Sequence, residues 1–232
     1  MEQLQTIWQH FSHLFFPHTC AGCGTDNLGL HSPLCIYCVD QLPLTNFHLH
    51  EGNPAEKNFW GRLPVQAVSA FCHFTTGSLI QHLLHQLKYK GHKEAGYFLG
   101  GLMGHALRAS ARFDTVDALV PLPLYAARER RRGYNQSQVL CTGMANVMQL
   151  PVLQGVINRL SATETQTRKS RMERWKNMEG KFELVNPEAI TGKHILLVDD
   201  VITTGATLEA CGHALLKAGN IQLSIAALAY TV

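Results

Sequence analysis

Residues 195–208 constrain the fold of this 232-residue chain more than any other segment. Residues 195–198 are four consecutive apolar side chains, which indicates a strand buried on both faces, as in a parallel sheet covered by helices. Two adjacent carboxylates follow, Asp199 and Asp200, and a loop of small residues then opens a predicted helix. In open α/β sheets, ligands bind at the carboxyl ends of the strands. The segment therefore predicts an α/β fold with a binding site where this strand ends.

The loop after the acid pair has the composition of a phosphate cradle. Gly205 can adopt a positive φ, which lets successive backbone N–H groups converge on one anion, and the helix amino terminus adds partial positive charge. The candidate phosphate-binding residues are Thr203, Thr204, Gly205, Ala206 and Thr207. The loop is not a Walker A motif, which requires Gly-Lys-Ser/Thr. With two acids beside it, the loop suits a ligand that joins a phosphate to vicinal hydroxyls, such as ribose 5-phosphate; an incidental helix-cap loop is the alternative.

From residue 65 onward, predicted strands and helices alternate along the chain. The predicted strands are residues 67–74, 117–122, 195–198 and 223–229, and the predicted helices are residues 79–87, 95–108, 137–148 and 207–218. Such alternation is typical of a parallel sheet flanked by helices. We expect four units: an amphipathic helix in residues 1–17, a cysteine module in 18–45, a polar linker in 46–64 and the α/β domain in 65–232.

The amphipathic stretch at the amino terminus has two interpretations. A short helix that packs on the main domain is one; a helix lying on a membrane surface is the other, although its polar face offers histidines rather than lysines. No apolar run reaches the roughly 18 residues that a transmembrane segment needs, and the first residues lack the basic start of a signal peptide. With unpaired thiols expected elsewhere in the chain, we predict a cytoplasmic protein without a transmembrane segment.

Four of the seven cysteines form two tight pairs with the pattern C-x2-C-x11-C-x2-C. They are Cys20, Cys23, Cys35 and Cys38. Two such knuckles place four thiolates around one ion, so the pattern predicts a closed, structural Zn(II) site. A thioredoxin-like redox pair or plain core cysteines are the alternatives, but a redox pair would occur once rather than twice in a short glycine-rich segment.

Basic charge is concentrated in one sector of the chain. The net charge is only +3, yet residues 121–181 hold 11 Lys and Arg against 4 Asp and Glu. The first part of this sector follows a predicted strand and contains Arg128, Arg130, Arg131 and Arg132. Arginine forks match pyrophosphate oxygens, so this loop is a candidate polyanion site, with a solvated face as the alternative.

The second part of the basic sector surrounds Arg174. It is polar and lies between two predicted strands, and the spacing of Arg171, Arg174 and Met178 allows one face of an ordered helix. Another interpretation is a backbone track for single-stranded nucleic acid, with Tyr134 and Trp175 as stacking surfaces.

Residues 195–208 closely resemble the PRPP-binding motif of type I phosphoribosyltransferases, and other segments resemble the ComF/GntX family of competence-related proteins. Those segments are residues 87–91, 121–123 and 131–137, together with the two cysteine pairs that precede them in the sequence. The resemblance implies a type I phosphoribosyltransferase-like sheet with a small zinc module built on the four paired cysteines. It implies that the catalytic acids Asp199 and Asp200 contact the ribose hydroxyls, that residues 203–207 hold the 5-phosphate, and that pyrophosphate meets the arginine loop. Lys88 and Arg174 are further polyanion-binding candidates. The resemblance also implies that the basic stretch around Arg174 is a mobile loop that closes over PRPP.

Two functions follow from this resemblance. The first is Mg(II)-dependent transfer of phosphoribosyl from PRPP to an unknown acceptor, in a protein linked to DNA uptake. The second is a non-catalytic accessory protein that binds single-stranded DNA, and components of the competence machinery, with PRPP as a ligand or regulator. No residue in the sequence stands out as a general base, so the acceptor stays open.

Overall fold

The computed structural model describes residues 19–29, 32–89, 91–160 and 180–231. Its centre is a sheet of four parallel strands, in the spatial order β1-β6-β5-β2. The strands are β1 (Val68–Phe74), β2 (Ala118–Pro121), β5 (His194–Ile202) and β6 (Gln222–Thr231). The predicted parallel α/β sheet is thus confirmed, with each predicted strand present.

Helices cover both faces of the sheet. Helices α3 (Leu79–Tyr89), α4 (Lys93–Arg108) and α6 (Gln136–Met148) pack on one face, and α7 (Ala206–Leu216) packs on the other. Neighbouring strand residues belong to different core clusters, since Leu196 packs with the first group of helices and Leu197 with α7. This alternation explains why the strands are apolar throughout. Across the described ranges, no helix has the length and apolar character needed to cross a membrane.

Three elements were not expected from the sequence. The arginine-rich segment after β2 forms a short helix, α5 (Ala126–Arg132), where a loop was predicted. Strands β3 (Ile157–Arg159) and β4 (Phe182–Leu184) pair antiparallel in a second, two-stranded sheet. Residues 46–64, predicted as a linker, include the short helix α2 (Pro54–Lys57) and pack on the α7 side of the core, where Phe59 is fully buried.

The cysteine module packs directly against the α/β domain. Its short helix α1 (Ile36–Asp40) carries Cys38, and the buried cysteines share one apolar cluster with Leu83 and Leu87 of α3. The side-chain amide of Gln86 on α3 donates to the carbonyl of Ala21 at 3.4 Å. Helix α3 therefore has the module on one side and the sheet on the other. The amphipathic segment predicted for residues 1–17 lies outside the described residues.

Candidate functional site

The acid pair lies at the carboxyl end of β5, as predicted, but inside the strand rather than after it. Strand β5 continues to Ile202, and Asp199 still pairs in register with Ala227 of β6. Because β2 lies beside β5 and runs parallel to it, the segments that follow both strands meet at this edge of the sheet. The fold thus brings the acid pair, the loop at residues 203–207 (the threonine loop) and α5 to one crevice.

Asp199 is held in place by two hydrogen bonds. Its Oδ1 accepts from the hydroxyl of Ser137 at 3.1 Å and from the backbone N–H of Asp200 at 2.8 Å. Burial, and then the neighbouring Asp200 carboxylate, raise the pKa of Asp199 to about 7, although both hydrogen bonds and Lys88 act in the opposite direction. Asp199 is therefore a carboxyl group that changes its charge near neutral pH.

Asp200 forms an ion pair with Lys88, whose Nζ lies 2.8 Å from Oδ2. Lys88 stands in the last turn of α3, so this contact joins the site to the helix that supports the cysteine module. Lys88 is a polyanion-binding candidate from the sequence, and that role stays a prediction. What the structure establishes is that a cation lies directly beside the acid pair.

The threonine loop turns sharply into α7. Gly205 has φ +75° and precedes the first residue of the helix. A Cβ on Gly205 would stand 2.9 Å from the ring of Phe59, so both the backbone conformation and the close approach require glycine here. Thr203 and Thr204 are exposed, and two residues that the sequence analysis missed, Asn58 and Arg62, donate to their carbonyl oxygens.

The four arginines after β2 lie on α5 and not in a loop. Alanine and arginine are good helix formers, and Gly133, at φ +81°, ends the helix. Arg130 and Arg131 are exposed, whereas Arg128 and Arg132 are half-buried. The side chain of Asn135 caps α6 by accepting from the N–H of Ser137 at 3.0 Å. Arg174 and Trp175 lie outside the described residues.

Arg159, on β3, is a further basic residue near the acids, and it was not among the predicted site residues. Burial, and then repulsion from Arg128, lower the pKa of its guanidinium, while the charge of Asp199 acts in the opposite direction. Its guanidinium lies 5.5 Å from the ring centre of Phe182. The sequence did not place Arg159 beside the acids, because its strand is three residues long and pairs with a segment more than 20 residues away.

An open cavity of about 480 Å³ lies between α5 and the β3 segment. Its wall includes the polar side chains of Glu129, Gln138, Asn158 and Arg159 and the ring of Tyr125. Neither acid and none of the four α5 arginines lines this cavity. Its link to the acid pair is Arg159, which lines the cavity and interacts electrostatically with Asp199.

The four paired cysteines come together in one cluster. Their Sγ atoms all lie within 4.8 Å of one another, and those of Cys23 and Cys35 are 3.6 Å apart. A tetrahedral zinc site with Zn–S bonds of about 2.3 Å requires sulfur separations of roughly 4 Å, so the cluster could hold this ion. Backbone N–H groups of Gly22 and Cys35 point at the Cys20 sulfur, as they do around metal-bound thiolates. The other three cysteines are buried and lie apart from this cluster.

The chain is related to known proteins over most of its length. Residues 130–231 match the phosphoribosyl transferase domain family. The chain is 32% identical to the DNA utilization protein YhgH of Escherichia coli K12, over 86% of this chain and 85% of that protein. It is 28% identical to competence protein F of Haemophilus influenzae, over 90% of this chain and 89% of that protein.

Among solved structures, the fold is similar to a glutamine PRPP amidotransferase from B. subtilis. The TM-score is 0.40 at 19% identity, over 61% of this chain and 30% of that one. The family assignment follows from the sequence relatives, whose similarity extends over most of this chain and of each relative. The chain belongs to the ComF family of competence-related proteins, whose α/β domain is of the phosphoribosyltransferase type.

Proposed function

We propose that the crevice at the carboxyl ends of β2 and β5 binds PRPP with Mg(II). The observation that carries this proposal is that three polar elements meet at one edge of the sheet. They are the two acids of β5, the loop that turns at Gly205 into the amino terminus of α7, and the arginine-rich helix α5 after the adjacent strand β2. PRPP has hydroxyls, a phosphate and a pyrophosphate joined through one ribose. Each of these groups has a chemical counterpart in the crevice.

Each part of PRPP would be bound by a different set of residues. Asp199 and Asp200 accept hydrogen bonds from the ribose hydroxyls, the loop at residues 203–207 binds the 5-phosphate, and the exposed Arg130 and Arg131 neutralise pyrophosphate. Mg(II) would arrive with PRPP and offset part of the charge on the leaving pyrophosphate. An acceptor in the adjoining cavity would attack C1, which makes the chain a phosphoribosyltransferase for an acceptor still to be identified.

Titration with PRPP and Mg(II) tests this function. We expect the wild-type protein to bind PRPP and Asp200→Asn to bind it at least about tenfold more weakly, because an amide accepts fewer hydroxyl hydrogen bonds and carries no charge. Calorimetry gives both affinities, and pyrophosphate release with candidate acceptors reports turnover. The matched control is Asp114→Asn, an exposed acid outside the crevice that should bind PRPP like the wild type. No PRPP binding by the wild-type protein would refute the proposal.

A second candidate function, binding of single-stranded DNA, is favoured by the surroundings of Tyr89. This side chain is 61% exposed, and its ring lies 4.9 Å from that of His85 and 5.4 Å from the guanidinium of Arg132. A base can stack on such a ring while Arg130 and Arg131 contact phosphates. Tyr134, the aromatic residue suggested by the sequence, suits this role less because its hydroxyl donates to the carbonyl of Leu87 and Lys93 covers its ring.

Binding of a fluorescent oligo-dT at several salt concentrations separates stacking from charge. We expect Tyr89→Ala to weaken binding about tenfold without changing the salt dependence, since a stacked base contributes roughly 1–3 kcal/mol. Arg130→Ala with Arg131→Ala should reduce the slope of log K against log salt by about 1 to 2. Tyr97→Ala, another exposed tyrosine on α4, is the control. Equal affinity of all variants would exclude this surface as the DNA site.

A further inference from the structure

We infer that Asn58 and Arg62 position the anion-binding face of the loop at residues 203–205. Neither residue belongs to the predicted site, and both come from the segment predicted as a linker. The inference rests on the proposed function, since it assumes that this loop binds the 5-phosphate. It adds two residues that act on the phosphate through the backbone of the loop rather than by contact.

Both residues hold carbonyl oxygens of the loop. The side-chain amide of Asn58 donates to the carbonyl of Thr203 at 3.1 Å, and the guanidinium of Arg62 donates to the carbonyl of Thr204 at 3.3 Å. The described part of the chain contains no cis peptide bonds, and in a trans peptide the C=O and the next N–H point in opposite directions. Fixing these two carbonyls therefore turns the N–H groups of Thr204 and Gly205 away from Asn58 and Arg62.

Arg62 is itself fixed at two other points. The same guanidinium nitrogen that reaches Thr204 donates to the carbonyl of Asn58 at 2.9 Å, and the other terminal nitrogen pairs with the carboxylate of Glu209 on α7. Glu209 is buried, so its charge anchors the guanidinium to the first turns of the helix. Only a planar fork with several donors can make these contacts together.

Apolar packing also holds residues 58–63 against the loop. The ring of Phe59, between the two polar residues, is fully buried and meets the backbone of Gly205. The same residues contact α7 at two places: Arg62 pairs with Glu209, and the side chain of Leu63 packs against Gly212. Since Thr203 and Thr204 are exposed, rotation of their peptide planes is opposed chiefly by Asn58 and Arg62. Loss of either contact should lower the affinity for a phosphate on the loop, without affecting anions that bind the α5 arginines.

Two conservative variants test this inference: Arg62→Lys keeps the net charge, and Asn58→Ala changes a polar side chain outside the two core clusters. Arg62→Lys retains a cation for Glu209 but cannot also reach Thr204, and Asn58→Ala removes one exposed donor. The controls are Arg108→Lys, which alters an exposed arginine that donates to the carbonyl of Val147 at 2.7 Å, and Asn146→Ala on α6. Calorimetry would measure the affinity for ribose 5-phosphate and, separately, for inorganic pyrophosphate with Mg(II), and thermal unfolding would report stability.

We expect Arg62→Lys and Asn58→Ala to weaken ribose 5-phosphate binding about tenfold while pyrophosphate affinity stays at the wild-type value. Equal losses for both ligands would show that the variants act through general destabilisation and would overturn the inference. Unchanged ribose 5-phosphate binding would overturn it as well, leaving the proposed function intact. If the wild-type protein binds neither ligand, the proposed function fails and this inference fails with it.

Discussion

Removal of metal from the Cys20, Cys23, Cys35 and Cys38 cluster should lower the unfolding temperature of the whole chain by more than about 10 °C. The estimate follows from the binding free energy of structural zinc, roughly 10–16 kcal/mol in small domains, and from the shift of about 2–4 °C per kcal/mol for a chain of this size. Differential scanning fluorimetry of the purified protein, with and without a zinc chelator under reducing conditions, measures this shift.

The effect should extend beyond the module because its cysteines belong to the main core. The buried Cys20, Cys35 and Cys38 share an apolar cluster with residues of α3, and the last turn of α3 carries the lysine that pairs with Asp200. Gly22 leaves little room for rearrangement, since a Cβ there would stand 2.7 Å from the Cys38 sulfur. Without a metal these cysteines would take up protons, and the bonds that hold the four sulfurs together would be lost. Loss of the metal should therefore loosen α3 and weaken the binding of ligands at the acid pair.

Elemental analysis should give one zinc per chain, and Cys38→Ser should lower this value and the unfolding temperature together. Cys72→Ala is the matched control, because Cys72 is also buried but lies outside the cluster. It should retain one zinc, although the lost packing will cost some stability. A zinc-free protein that unfolds at the temperature of the zinc-loaded one would contradict the structural role.

The central sheet could be predicted from the sequence because its strands are apolar on both faces. Continuous apolar runs such as residues 195–198 are distinctive, and they lie where predicted. The pairing of β3 with β4 could not be predicted, because each strand has three residues and the two lie more than 20 residues apart in the sequence. Helix α5 was predicted as a loop because an arginine run lacks an apolar stripe, and its helix is stabilised by intrinsic propensity.

The candidate site divides in the same way. The acid pair and the threonine loop follow one another in the sequence, so a single segment was enough to predict both. Asn58 and Arg62 contact that loop from more than 140 positions away, and Arg159 approaches Asp199 from another element. The polar, glycine-containing composition of residues 46–64 predicted a linker, whereas Phe59 and Asn53 make it a packed segment. Such contacts depend on the tertiary fold and leave no local pattern.

Asp199→Asn should stabilise the protein at pH 8 and weaken PRPP binding about 10- to 100-fold. A hydrogen bond to a charged group contributes roughly 1.5–3 kcal/mol, and the amide loses both the charge and one acceptor oxygen. The amide oxygen can still accept from Ser137 and from the N–H of Asp200, so the local structure should persist. Opposite changes in stability and affinity would identify Asp199 as a residue kept for function at a cost in stability.

The sign of the stability change follows from the raised pKa of Asp199. Its pKa is about 7 in the folded protein against 3.8 as the ordinary value, because burial and Asp200 disfavour the charge. Between about pH 4 and pH 7 the folded state holds more protons than the unfolded state, so this group makes the protein less stable as the pH rises through that range. Above pH 7 the full penalty is present. The asparagine variant escapes it and should gain at least about 1 kcal/mol at pH 8.

Denaturant unfolding of both proteins at pH 5 and pH 8 tests this, because the advantage of Asp199→Asn should grow with pH. Asp200→Asn is the contrasting variant: it removes the repulsion on Asp199 but also the ion-pair partner of Lys88, so it should gain less stability at pH 8 than Asp199→Asn. PRPP affinity of the wild-type protein should rise from pH 6 to pH 8, as Asp199 becomes a carboxylate that can accept two hydroxyl hydrogen bonds. A stability difference that does not vary with pH would show that Asp199 is charged at pH 5 and pH 8 alike. The ribose would then be held by a pair of ordinary acids, and the rise in PRPP affinity with pH should also be absent.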